Sequence, residues 1–249
     1  MGYQEINAKT IDTWCKEGWE WGVPISHEIY EAALHGEWGV YLTPTKFVPR
    51  EWFGELRGKR LLGLASGGGQ QIPIFSALGA KCTLLDYSEQ QCESDRLVAE
   101  REGYEVEIIR ADMTKPLPFE EESFDLIFHP VSNCYAEEVE PIFRECYRVL
   151  KKGGAFLGGY DIGINYIFDE NEERVVTSLP FNPLNDKALY DECVSTDSGI
   201  QFSHTIEEQI RGQLRAGFCL SDIYEDTNGV GNLHKHNVPS FVATRSVKI

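Results

Sequence analysis

The sequence predicts an α/β fold on a mostly parallel sheet, and three observations carry that reading. From residue 60 onward, apolar runs of strand length alternate with segments of helical periodicity, the order that gives parallel strands with right-handed crossovers. The first run empties into three consecutive glycines, "LLGLASGGGQ" (61–70), a strand passing through a bare turn into a helix. At the far end the rhythm changes: two strands follow one another with no helix between them, an antiparallel addition to the sheet edge.

Taken in order, the N-terminal segment reads as helix, loop, helix, and it holds all five tryptophans (14, 19, 21, 38 and 52). Its second helix, "SHEIYEAALHG", has Ser26 as N-cap, an apolar face of Ile29, Ala32 and Ala33, and a stop at Gly36. "RLLGLA" is the first strand and "QQIPIFSALG" the helix after the glycines, where Pro73 is tolerated because it falls in the first turn. "CTLLDYS" is the second strand. Ser88 then caps a helix running to Glu102, with Gln91 at the reciprocal position of a capping box and Gly103 as the stop. "EVEIIRAD" and "FDLIFHPV" are the third and fourth strands. In "EEVEPIFRECYRVLKKGG", Val139, Ile142, Phe143, Cys146, Val149 and Leu150 recur at helical spacing, and Gly153–Gly154 end the helix before "AFLGGYD", the fifth strand. Residues 162–204 break the pattern and read as an insertion or lid. Thr205 and Glu208 form a second capping box, with Ile206, Ile210 and Leu214 on one face of its helix and Gly217 at the end. "LSDIYEDT" and "SFVATRSVK" close the chain.

The length of 249 residues suits one large domain, divided here as 1–55 (helical cap), 56–161 (ligand-binding core), 162–204 (lid or insertion) and 205–249 (helix and edge strands). Seven scattered cysteines with no Cys-x-x-Cys pair argue for reduced thiols rather than a disulfide framework or zinc site. A net charge of −17 speaks against a nucleic-acid partner. No apolar stretch reaches membrane-spanning length and no signal-peptide pattern opens the chain, so the expectation is a cytoplasmic protein without a membrane partner.

Ligands of open α/β sheets bind beyond the carboxyl ends of the strands. Ala65, Ser66, Gly67, Gly68, Gly69 and Gln70 follow the first strand. Asp86 closes the second, where a carboxylate can accept from both hydroxyls of a ribose; Tyr87 beside it can pack on adenine, and Ser88 follows. Asp112 can accept from an exocyclic amine while the Met113 backbone N–H donates to a ring nitrogen. His129 to Tyr135 follow the fourth strand and Tyr160–Asp161 the fifth. Together these strand ends converge on an adenosine-containing ligand. "HKH" (234–236) would present two imidazoles on one face if extended, but no third ligand accompanies it, and a solvated loop is expected there rather than a metal site.

The stretch from about 60 to 160, through "LLGLASGGGQ", "LLDYSEQQ", "IIRADMTKPLPFEEESFDLIFHPVSNCY" and "CYRVLKKGGAFLGGYD", resembles the class I S-adenosylmethionine-dependent methyltransferases, especially the small-molecule branch that includes the ubiquinone/menaquinone-biosynthesis type. The resemblance implies a Rossmann-like three-layer sandwich whose seven-stranded sheet has an antiparallel last strand. It also implies S-adenosyl-L-methionine as cofactor and a small-molecule acceptor. The family's ribose-binding acid falls on Asp86, its adenine-side acid on Asp112 and its glycine loop on Ala65 to Gly69. Two positions depart from the family pattern: Gly63 stands where an acid is usual, and Ala65 where the first glycine is usual. Gln70, His129 or the tryptophan segment are the candidates to replace the missing acid at the methionine end.

For transfer to carbon or oxygen, His129 is the expected general base, with contact to the cofactor or plugging of the sheet end as its other readings, while Tyr135 and Tyr160 either orient an acceptor or are ordinary packing. "GWEWG" (18–22) offers aromatic faces to shield a cation or stack on an acceptor. Two other classes stay open at this level. An NAD(P)-linked oxidoreductase would need Gly-x-Gly-x-x-Gly, which "GLASGG" meets only with alanine in the middle. A non-catalytic S-adenosylmethionine-binding protein would account for the altered first motif.

Overall fold

The computed structural model describes residues 2–249. Seven strands form one sheet: β1 (Arg60–Leu64), β2 (Lys81–Asp86), β3 (Val106–Arg110), β4 (Phe124–His129), β5 (Leu150–Asp161), β6 (Phe218–Asp226) and β7 (Phe241–Lys248). Their order across the sheet is β3-β2-β1-β4-β5-β7-β6, and β7 runs antiparallel to both its neighbours while the other six share one direction. Strand order reverses between β1 and β4, which opens a crevice beyond their carboxyl ends. This is the fold expected of the sequence.

Side-chain alternation along the strands feeds two cores, one on each face of the sheet. Leu61, Leu84, Phe128 and Leu157 join Ile72 and Phe75 of helix α3 (Gln71–Ala77) with Trp52 and Phe53. Leu62, Leu64, Ile127, Phe156 and Tyr160 face Ile142 and Phe143 of helix α5 (Glu140–Val149). Tyr160 is wholly buried in this second core, so of its two readings the structure favours packing over orienting an acceptor.

Helix α1 (Tyr3–Lys16) and helix α2 (His27–Leu34) precede the sheet, and helix α4 (Glu89–Glu102) follows β2. Asp12 joins α1 to the start of α4, accepting from Ser88 Oγ at 2.6 Å and from the Gln90 N–H at 3.0 Å. Asn7 clasps Ile200 in both directions, donating to its carbonyl at 2.8 Å and accepting its N–H at 2.6 Å. Trp14 adds a bond to the Asp197 carbonyl. The first helix and the end of the 162–204 segment, which includes helix α6 (Lys187–Ser195), are thus fastened together.

Four local expectations change. Gly153–Gly154 do not end α5; that helix stops at Val149, and the glycines lie early in β5, where the pairing register with β4 shifts. In α2 the inward residues are Tyr30 and Ala33, whereas Ile29 is 47% exposed. In helix α7 (Ile206–Ala216) the capping box forms, but Ile206 and Leu214 point outward and the buried face is Gln209, Gly212 and Gln213. The reason is polar pairing: Gln213 Oε1 accepts from the Thr244 and Ser246 hydroxyls of β7 at 3.1 and 2.7 Å. Ser88 caps α4, yet Gln91 leaves the reciprocal bond unmade, its Nε2 lying 3.5 Å from the Trp21 carbonyl. His234 sits in the short helix α8 (Gly231–Lys235), 2.7 Å from Thr227 Oγ1.

Candidate active site

A cavity of about 300 Å³ lies beyond the carboxyl ends of the strands. At one end it is lined by Ala65, Ser66, Gly67 and Gln70 after β1, by Asp86, Tyr87 and Ser88 after β2, and by Asp112 and Met113 after β3. Trp19 and Trp21 cover it from the N-terminal segment. At the other end lie Tyr41 and Pro44, then Val131 and Tyr135 after β4, with Asp161 closing β5 and Phe241 opening β7.

The glycine loop is bared for the protein's own backbone. A Cβ on Gly68 would stand 2.5 Å from both the Trp21 carbonyl and Gln91 Oε1, and one on Gly69 would stand 2.8 Å from the Ser94 carbonyl. Both have positive φ, 107° and 68°, and neither lines the cavity, so these two expected contacts are structural. Their N–H groups are engaged as well. Gly67 donates to Asp86 Oδ2 at 3.0 Å, Gly68 to the Gln91 carbonyl at 3.1 Å and Gly69 to Asp95 Oδ2 at 2.9 Å. A loop with these three donors committed internally has none of them left to cradle a pyrophosphate, which argues against a dinucleotide.

Asp86 accepts from Gly67 on one oxygen and from the Ser88 N–H on the other, each at 3.0 Å. Burial raises its pKa and those N–H groups oppose the rise. A carboxylate has about four lone-pair sites, so both oxygens retain capacity for a diol. Asp112 accepts from the Thr114 N–H and hydroxyl through Oδ1. Gln70 turns away to the cap, donating to the Glu20 and Val23 carbonyls at 2.7 and 2.9 Å. Ser88 Oγ is committed to Asp12 and Gln91.

His129 is not at the lip of the cavity. It is fully buried, with Nδ1 2.9 Å from the Leu64 carbonyl oxygen and Nε2 2.8 Å from Asn133 Oδ1. Asn133 in turn donates to Gln209 Oε1 at 2.9 Å. Burial pushes the imidazole pKa down against the Asn133 and Leu64 contacts, which act to raise it. The expectation of His129 as an accessible base or cofactor contact is therefore corrected: it braces the turn at 133–135 from beneath. Tyr135, carried by that turn, does line the cavity, and burial raises its pKa well above the usual value.

Asp161, which sequence places only as the end of the fifth strand, lines the cavity. Its Oδ1 accepts from the Gly163 N–H at 2.6 Å and its Oδ2 from Asn165 Nδ2 at 2.8 Å. Burial raises its pKa to about 6 against those two bonds. Among the described residues, the lining contains three carboxylates (Asp86, Asp112 and Asp161) and no lysine, arginine or histidine. Such a cavity suits an adenosyl sulfonium: a diol acceptor at Asp86, a negative field for the cation, and aromatic walls.

A family model described as a methyltransferase domain matches residues 62–158. The uncharacterized methyltransferase YbaJ of Bacillus subtilis (strain 168) is 38% identical over 250 residues, covering 98% of this chain and 97% of that protein. Sterol 24-C-methyltransferase ERG6B of Gibberella zeae is 31% identical over 118 residues, which span 46% of this chain and 30% of that protein. A solved S-adenosylmethionine-dependent methyltransferase from Mesorhizobium loti shares the fold with a TM-score of 0.64 at 19% identity, over 80% of this chain and 95% of that one. The chain belongs to the class I S-adenosylmethionine-dependent methyltransferases. It is a methyltransferase, with S-adenosylmethionine as its cofactor, and the oxidoreductase and non-catalytic alternatives give way.

Proposed function

We propose that the chain methylates an apolar small molecule that is neutral or amine-bearing, enclosed between the N-terminal cap, the 162–204 segment and the sheet. The observation that carries this is the charge of the lining: three carboxylates and no cationic side chain among the described residues. A phosphate or carboxylate acceptor would enter with no cationic partner among the described residues and against like charge.

In this reading Asp86 holds the ribose, Tyr87 packs on the adenine, and Asp112 with the Met113 N–H meets the adenine edge. When bound, the cofactor supplies a methyl carbon on a sulfonium with a neutral thioether as leaving group. The chain positions the acceptor in line and excludes water. Asp161, ionised above pH 6, accepts the proton the acceptor loses as its lone pair or carbanion bonds to the methyl carbon. Tyr135 orients the acceptor at the same end. Trp19, Trp21 and the 162–204 segment act as the lid. The sterol 24-C-methyltransferases among the relatives are named for an acceptor of this neutral, apolar kind.

The test uses radiolabelled methyl transfer to matched compounds with one apolar body and a hydroxyl, an amine, a carboxylate or a phosphate. Transfer to the hydroxyl or amine compounds and none to the anions is expected. Preference for the anionic compounds would sink the reading.

A further inference from the structure

The family's acid at the end of β1 is replaced by Gly63, and the structure shows what fills its place. A Cβ on Gly63 would lie 2.7 Å from Ile72 Cδ1 and 2.8 Å from Ser66 Oγ. An acidic side chain there would have to displace both, and with glycine at 63 the Ile72 and Ser66 side chains occupy that space.

Ser66 is 2% exposed and its Oγ has no hydrogen-bond partner. Gln71, the neighbour of Ile72 and the first residue of α3, is 7% exposed and its Oε1 likewise has none. Both residues line the cavity. Buried polar atoms are nearly always paired, and leaving one unpaired is costly. Gln91 Oε1, packed beside Gly68, is a third on the lining, and such atoms mark where a ligand brings polar groups of its own.

We infer that Ser66 and Gln71 hold the amino-acid end of S-adenosylmethionine in place of the missing acid. That end is a zwitterion. Gln71 Oε1 accepts from the α-ammonium, while the Ser66 hydroxyl and the Gln71 amide N–H donate to the α-carboxylate. Neutral dipoles meet both charges. An acid would pair with the ammonium alone and set a fourth carboxylate beside the three already lining the cavity. Gln70, the other candidate from sequence, is committed to the Glu20 and Val23 carbonyls.

The test compares two ligands by calorimetry. S-adenosylhomocysteine carries the amino-acid end; 5′-methylthioadenosine keeps the adenosine and thioether without it. In Ser66→Ala and Gln71→Leu, affinity for S-adenosylhomocysteine falls roughly tenfold each, about 1.4 kcal/mol, while affinity for 5′-methylthioadenosine holds. The second ligand also reports whether each variant keeps its fold. Gln71→Glu adds an inverted readout: it weakens S-adenosylhomocysteine and strengthens the decarboxylated analogue, which presents the ammonium alone. Equal weakening of both ligands, or unchanged affinity for S-adenosylhomocysteine, overturns the assignment. A wild-type chain that binds 5′-methylthioadenosine as tightly as S-adenosylhomocysteine overturns it too.

Discussion

Asp95 accepts the Gly69 N–H through Oδ2 at 2.9 Å with no part of its side chain reaching solvent. One carboxyl on α4 therefore fixes the end of the glycine loop. Burial pushes its pKa up to about 8, and the nearby Asp86 adds to the rise.

An acid whose folded pKa exceeds its unfolded one binds the extra proton in the folded state. Its contribution to stability is present below the unfolded pKa, about 4, and declines as pH rises toward 8. Asp95→Asn keeps an acceptor for Gly69 and removes the titration. Thermal melts from pH 5 to 8 should show the wild-type midpoint falling and the variant's falling less. Parallel slopes would mean that Asp95 does not hold its proton in the fold.

Gln213 gives a second prediction. Gln213→Leu strands the Thr244 and Ser246 hydroxyls in the core and should destabilise by about 2–4 kcal/mol in urea unfolding. Adding Thr244→Val and Ser246→Ala removes the stranded groups and should recover most of the loss. A triple variant no more stable than the single one would show that the cluster acts through shape rather than hydrogen bonding.

His129 and a base differ in what they do to a pH profile. His129→Gln should lower stability by about 1–3 kcal/mol through the loosened turn at 133–135. Every limb of the pH dependence of kcat/KM should survive. A vanished limb would return His129 to proton transfer.

Asp161 should behave in the opposite way. Its folded pKa of about 6 makes it the base form above that pH, so kcat/KM should rise through pH 6 and level off. Asp161→Asn should lose that limb and about 10²–10⁴ in rate. Persistence of the limb would assign the proton elsewhere.

The sheet was legible because apolar runs and caps are local signals. Ser88, Gly103 and Thr205 mark helix ends by chemistry acting within four residues, and each sits where that chemistry puts it. What escaped is non-local. Apolar periodicity would turn Ile206 and Leu214 of α7 inward, but Gln209 and Gln213 are buried because β7 and Asn133 supply partners that no local pattern announces. The same holds for the site. The strand-end residues Asp86 and Asp112 could be found by position, and they line the cavity. His129 could not be told from a lip residue, because its depth depends on the turn and α7 closing over it. The glycines read as ligand-facing for a similar reason: the Trp21 carbonyl that needs Gly68 bare comes from a segment nearly fifty positions earlier, a gap visible only in the fold.

The bond between Asn7 and Ile200 joins residues 193 positions apart. During synthesis the first helix can dock on α4 through Asp12 once residue 90 is made, but its clasp to the 162–204 segment waits until about four-fifths of the chain has left the ribosome. The sheet through β5 can assemble in the meantime, but the compartment above it stays open to water. Gln201 and Phe241, which line the cavity, are made at that point or later, so its wall is the last part of the site to be completed.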